Sequence, residues 1–255
     1  MDAKLSILDE LGDILSKKEK TDEGVLVFSK RFNIGRIMKP FSTIKKKGIS
    51  SALLLAALIL SRLGGLSVYA AQKTGLLNMD DNPLYDLQDN PLVDWKSILL
   101  AFAKQFLKCV FSKGEADEKA VRCFVIDDTD IEKTGKTIEG LSKIYSHKEH
   151  RYFFGFKLLI LCYWDGKSLI PCCLSLHREC KEKNYGLSKK EQEHQFTKER
   201  KDEGYYRERF DELDESKLDV ALKMLKRCIK KAIFGSYVLT VIEPVVIEIV
   251  EMSKY

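Results

Sequence analysis

Apolar residues fall at helical spacing through the front of the chain and in strand-like runs through its middle. Leu5, Leu8, Leu11 and Leu15 make a first helical stripe, and residues 49–63 are apolar nearly all round, as expected of a helix buried in a small bundle. After Pro91, Asp94 is placed to cap another helix; its stripe is Trp95, Ile98, Leu99, Phe102, Phe106 and Val110, and Gly114 stops it. The period then changes. Residues 121–126 are a short β-branched run, followed by a loop containing Gly and Lys. Two long strand candidates follow, 152–163 and 168–176, on either side of Trp164-Asp165-Gly166-Lys167. An Asp-Gly pair between two apolar runs predicts a hairpin. From His177 to Asp214 the chain is polar with little apolar periodicity, and reads as an insertion or an extended surface element. Ser216 with Asp219 matches a capping box, Leu218, Leu222, Leu225 and Ile229 form one helix face, Gly235 closes it, and residues 237–240 read as a further strand.

This order predicts a mixed α/β fold. A helical domain over residues 1–115 precedes a domain over 120–255, built as strand, two-stranded hairpin, insertion at about 178–214, helix and strand. A hydrophobic content of 45% is enough to bury a full core. The seven cysteines are odd in number, two are adjacent at Cys172-Cys173, and no C-x-x-C pair occurs. Reduced, buried thiols of a cytosolic protein are therefore expected, rather than a disulfide framework or a zinc knuckle. The N-terminus lacks the apolar core of a signal peptide, and the most apolar run, residues 52–60, is far short of the roughly 20 residues that span a bilayer. The expectation is a cytoplasmic protein with no membrane segment. Its net charge is only +5, so the Lys/Arg clusters at 17–18, 45–47, 189–190, 198–201 and 226–231 fit a solvated surface as readily as a nucleic-acid interface.

The residues best placed for chemistry are Asp127 and Asp128, directly after the apolar run that ends at Ile126. Carboxylates at a rigid strand end suit a hard divalent cation. In two-metal phosphoryl chemistry one ion activates the attacking water and the other stabilises the leaving oxygen, which needs more than one carboxylate. The same pair could instead begin a turn. The surrounding motifs weigh on this choice: Val125-Ile126-Asp127-Asp128-Thr129, then Lys133-Thr134-Gly135-Lys136 and Ile138-Glu139-Gly140, resemble the first catalytic motif of DDE transposases from bacterial insertion sequences, in the insertion-sequence 4 group and its relatives. Residues 152–166, Leu169-Ile170-Pro171 and residues 174–179 resemble the second and third strands of that family. Residues 185–190 and 195–200 are similar to its basic insertion, and residues 80–100 to the end of its helical domain.

The resemblance implies an RNase-H-like core that cuts and rejoins DNA at the terminal repeats of a mobile element, using two Mg2+ or Mn2+ ions. It implies Asp128 as the first catalytic carboxylate, with Asp127 beside it at the metal. It also implies DNA, a second copy of the chain or an intact transposase as partners. Two departures stand out. The family's fourth strand ends in Asp-Ser-Trp-Phe, whereas Thr240 is followed by Val241-Ile242-Glu243-Pro244. The family's Glu lies under a Tyr-x2-Arg-x3-Glu pattern further on; the lookalike at Tyr206 and Arg209 has Leu213 in the Glu position. The resemblance therefore predicts a C-terminally truncated transposase with an aberrant tail over 241–255, as a frameshift near codon 241 would produce, and impaired cleavage. Glu243 is a poor substitute for the lost Asp, because Pro244 restricts its backbone.

Other residues carry weaker signals. Lys133, Lys136, Arg178, Lys189, Lys190, Lys198, Arg200 and Lys201 are candidate contacts to DNA phosphates, although acidic residues interleave the later ones. His147 and His150 have ligand-like spacing and no evident third ligand, so solvated or DNA-facing loop residues are expected there. The competing enzyme class is a haloacid-dehalogenase-like phosphatase, whose D-x-D spacing is met by Asp128-Thr129-Asp130. That class requires alternating strand and helix units, which the pattern lacks. The non-catalytic alternative is a fragment that binds element ends and modulates an intact transposase.

Overall fold

The computed structural model describes residues 29–44, 48–77, 79–112, 122–179, 185–195, 204–231 and 238–241. The Leu5 to Leu15 stripe, Gly114, Lys198, Arg200, Lys201, Gly235 and the tail beyond Val241 lie outside them. The chain divides into two compact units at Val93/Asp94.

The first unit is helical: α1 (Ile34–Met38), a 3-10 segment (Lys39–Ile44), α2 (Ser51–Leu63), α3 (Val68–Lys73) and α4 (Asn82–Asp89). Helix α2 fulfils the prediction for residues 49–63. The Ser50 hydroxyl caps it by accepting from the Leu53 N–H, and Leu54, Leu55, Ala56, Leu58 and Leu60 are buried.

The second unit opens with α5 (Trp95–Ser112), capped by Asp94, whose Oδ1 accepts from the Ser97 N–H at 2.9 Å. The strands and later helices are β1 (Cys123–Glu132), β2 (Ser142–Ser146), β3 (Arg151–Trp164), β4 (Leu169–His177), α6 (Lys189–Gln195), α7 (Gly204–Glu212), α8 (Lys217–Lys231) and β5 (Val238–Val241). Helix α5 belongs with the sheet rather than with the front helices, because Leu100, Ala103 and Leu107 join the sheet core. Of the expected stripe, Ile98 and Val110 are buried and Trp95, Leu99, Phe102 and Phe106 are half-buried, while the neighbouring Lys96, Leu100, Ala103 and Leu107 are buried as well.

The sheet is mixed. β3 pairs antiparallel with β1 along Gly155–Trp164 on one edge, and on the other with β2 at its start and β4 further on. β5 adds parallel to β1, Cys123 opposite Val238 through Ile126 opposite Val241. The hairpin stands where the Asp-Gly pair placed it. Asp165 Oδ1 accepts from the Lys167 and Ser168 N–H groups at 2.8 and 2.6 Å, and Gly166 takes φ 95°, a conformation glycine tolerates. β2 was read as loop, since its five residues alternate Ser and Ile with Lys and Tyr and form no apolar run; pairing with β3 makes it a strand.

Two expectations about helices change. The polar stretch after His177 contains α6 and α7, and Glu212 and Leu213 at the end of α7 are buried. Helix α8 forms where the capping box predicted it, but its buried residues are Val220, Ala221, Met224 and Cys228, while Leu218, Leu222 and Ile229 are exposed. α5 and α8 together cover one face of the sheet, enclosing Phe124, Ile126, Leu159, Leu161, Tyr163 and Cys172.

Candidate functional site

Asp127 and Asp128 do not stand at a strand end. β1 runs six residues past Ile126, because β3 continues to pair with it as far as Glu132 opposite Gly155. Side chains alternate across a strand, so Asp128 and Asp130 continue the face of Phe124 and Ile126, and Asp127 and Thr129 take the other. Asp128 is exposed and forms a surface ion pair with the likewise exposed Lys217, the first residue of α8. Asp127 turns back on the backbone, its Oδ1 accepting from the Asp128 N–H at 2.8 Å.

A polar row continues from Asp128 across the sheet. Asp130 lies opposite Lys157, and Lys157 lies opposite His177. The Lys157 ammonium, on a buried residue, reaches Asp130 at 2.5 Å. Burial works to raise the Asp130 carboxyl, but hydrogen bonds from Lys157 and Ser146 outweigh it and hold the group below the ordinary carboxylate range. His177 is 2% exposed, and neither ring nitrogen has a hydrogen-bond partner of normal geometry among the described residues. Burial lowers its pKa from 6.5, and the nearby Lys217 charge acts in the same direction.

His177 therefore folds neutral. Its contribution is fully present above the unfolded-state value of about 6.5 and is lost as pH falls below it, at up to about 1.4 kcal/mol per pH unit. Urea unfolding of wild type and His177→Leu between about pH 7.5 and 5 should show the wild type losing more stability on acidification. Equal pH slopes would remove His177 from this role.

Behind the row are two buried ion-pair clusters that hold α5, α7 and α8 to the sheet and to each other. Lys96 of α5 pairs with Glu212 of α7, and Glu212 also accepts from Ser175 Oγ of β4 at 2.8 Å. Arg227 of α8 donates to Asp94 Oδ2 at 2.6 Å, beside the α5 cap. The Asp94 carboxyl is raised by burial, but Ser97 hydrogen bonds and the Arg227 charge bring it below the usual range. Lys217 is thus presented to Asp128 by a helix tied to the α5 cap through Arg227.

The other sequence candidates are dispersed. Lys133 is exposed, with its N–H donated to the Phe154 carbonyl at 2.7 Å. Lys136 pairs with Glu191 at 3.3 Å and lies 5.0 Å from the Phe154 ring centroid. Arg178 is buried, bound to Asp214 through Nε at 2.6 Å and packed over the Tyr185 ring at 3.9 Å, so it braces the insertion rather than facing outward. Lys189 and Lys190 are exposed at the start of α6. His147 and His150 sit in the exposed turn between β2 and β3.

No group of three His, Cys, Asp or Glu among the described residues could hold a metal ion. Asp128 and Asp130 are each neutralised by a lysine, and Asp127 is on the opposite face, so the described residues do not fit a two-metal centre. The largely antiparallel sheet also lacks the alternating parallel units that the phosphatase alternative requires. No helix among the described residues is long and apolar enough to cross a membrane. No protein-family model, no curated protein and no solved structure matches the chain.

Lys157, Lys217, His177, Lys96 and Glu212 were not singled out from the sequence as site residues. Of these, Lys217 had a usable signal, since the Ser216 cap put it at a helix start. Asp130 entered the sequence reading as the second acid of the D-x-D spacing, and two steps along a strand return it to the face of Asp128.

Proposed function

We propose that the protein is a DNA-binding relative of the DDE transposases that holds the ends of a mobile element without cutting them. It acts in a bacterial-type cytoplasm, as a homodimer or alongside an intact transposase whose activity it modulates. The observation that carries this reading is the position of Asp128 on β1. The strand order β4-β3-β1-β5, three antiparallel strands with the last added parallel to β1 after a helix, supports an RNase-H-like core. Asp128 lies on the helix-covered face of that central strand, two residues beyond Ile126 and its partner Val241.

The same surroundings support loss of cleavage. The ammonium of Lys217 satisfies Asp128, and Val241-Ile242 follows where the family carries its second Asp. A single carboxylate already paired with a lysine cannot hold two divalent ions.

The test is incubation with DNA carrying the terminal repeats that flank the gene, with Mg2+ or Mn2+, for wild type and Asp128→Ala. The expected result is a retarded complex and intact strands for both proteins. Strand cleavage that disappears in Asp128→Ala would restore a catalytic role and defeat the non-cutting reading.

A further inference from the structure

On the other face of the β2-β3 ribbon lies a strip of alternating cations and rings. Ser146 hydrogen-bonds the Asp130 carboxylate, which fixes that residue to the Asp128 face. Its neighbour Tyr145 therefore points away, with Lys143 and His147 on the same side. Across the ribbon, Tyr145 lies opposite Tyr152, and Lys143 opposite Phe154. The Tyr145 and Tyr152 rings are 5.0 Å apart, and the His147 ring meets Tyr145 edge-on at 5.1 Å. Lys143 Nζ sits 4.9 Å above the Tyr152 ring. Tyr152 is 60% exposed, the most open large hydrophobic side chain of this unit.

We infer that this strip, Lys143, Tyr145, His147 and Tyr152, binds single-stranded DNA by stacking unpaired bases on the tyrosines and holding phosphates with Lys143 and the histidine-bearing turn. Two observations favour this occupant. First, the exposed Tyr152 ring, with the half-buried Tyr145 ring and the Lys143 ammonium beside it, offers both elements a single strand needs, a π-face for an unpaired base and a positive charge for the backbone. Second, among the described residues Lys143 forms no ion pair: Glu149 is engaged with Arg151 at 2.6 Å, Glu191 with Lys136 at 3.3 Å, and the Glu179 carboxylate accepts from the Tyr145 N–H at 3.4 Å.

This inference does not rest on the transposase reading, since it needs no terminal repeat and no metal. Fluorescence anisotropy of a labelled oligothymidylate of about 15 nucleotides, with the full chain as titrant, tests it against a duplex of equal length. Wild type is expected to prefer the single strand. Tyr152→Ala should weaken binding about tenfold and Tyr152→Phe should restore most of it, because a stacked base needs the ring and not the hydroxyl. Lys143→Gln should lower the slope of log affinity against log salt by about 0.7, one phosphate contact on a single strand. An unchanged urea midpoint for Tyr152→Ala, expected of so exposed a residue, assigns its loss to binding. No binding of the oligothymidylate, equal or tighter duplex binding, or wild-type affinity in Tyr152→Ala would each overturn the inference. Failure to retain terminal-repeat duplexes would leave it standing.

Discussion

Glu212→Ala is expected to lower the stability of the second unit by about 3–5 kcal/mol. Glu212 is buried, takes the Lys96 ammonium and accepts from Ser175 Oγ at 2.8 Å. Removing it leaves a buried cation and a buried hydroxyl with no acceptor, and both desolvation costs then count against folding. The pair itself is a different quantity. Replacing both partners with apolar side chains of similar size, Lys96→Met with Glu212→Leu, should recover most of the loss. Urea denaturation of the two single variants and the double variant separates these terms. A loss below about 1 kcal/mol in Glu212→Ala would mean that water already reaches the pair.

Gly155→Ala is the second large effect, and it is steric. At this position β3 is paired on both edges, with Glu132 of β1 and Ser142 of β2. An added Cβ would lie 2.0 Å from the Ile131 carbonyl oxygen and 2.7 Å from the Phe153 ring. The first neighbour is backbone and cannot swing aside, so the strands must separate locally. We expect a cost of about 3 kcal/mol, at the upper end of what overpacking produces. Because the separation would fall between Glu132 and Gly155, it should also disturb Asp130, two residues back along β1. A midpoint within error of wild type would show that the crossing has room to relax.

The two halves of the unit differed in how much their sequence disclosed. The hairpin was legible because its signal is local: Asp165 and Gly166 set the turn, and long apolar runs flank it. The caps at Asp94 and Ser216 were legible for the same reason, each being a side chain meeting a backbone a few residues away. What escaped depended on distant partners. β1 looked six residues shorter because Asp127 to Glu132 is polar, and only pairing with β3 keeps it extended. The faces of α5 and α8 were legible only in part, Ile98, Val110 and Leu225 packing inward as expected, because each helix has more than one plausible apolar row. The sheet selected the row with Ala103 and Leu107 in one and Ala221 and Met224 in the other.

The candidate site was legible only in part. Asp128 could be found from its motif, but its neighbours come from β3, β4 and α8, between 29 and 89 residues further along the chain. No spacing rule announces that a lysine from a later helix will meet a carboxylate on the first strand. Arg178 shows the opposite failure: a basic residue in a polar stretch looked suited to DNA, and the fold buried it between Asp214 and two aromatic rings.

The proposed recognition of mobile-element ends is tested most directly by a competition gel shift: labelled DNA bearing the repeats that flank the gene, challenged with unlabelled repeat DNA or with a scrambled duplex of the same composition. Repeat DNA is expected to displace the probe at least tenfold more effectively than the scrambled duplex, and Asp128→Ala to bind as wild type does. Equal displacement by both competitors would mean that the protein does not read those ends.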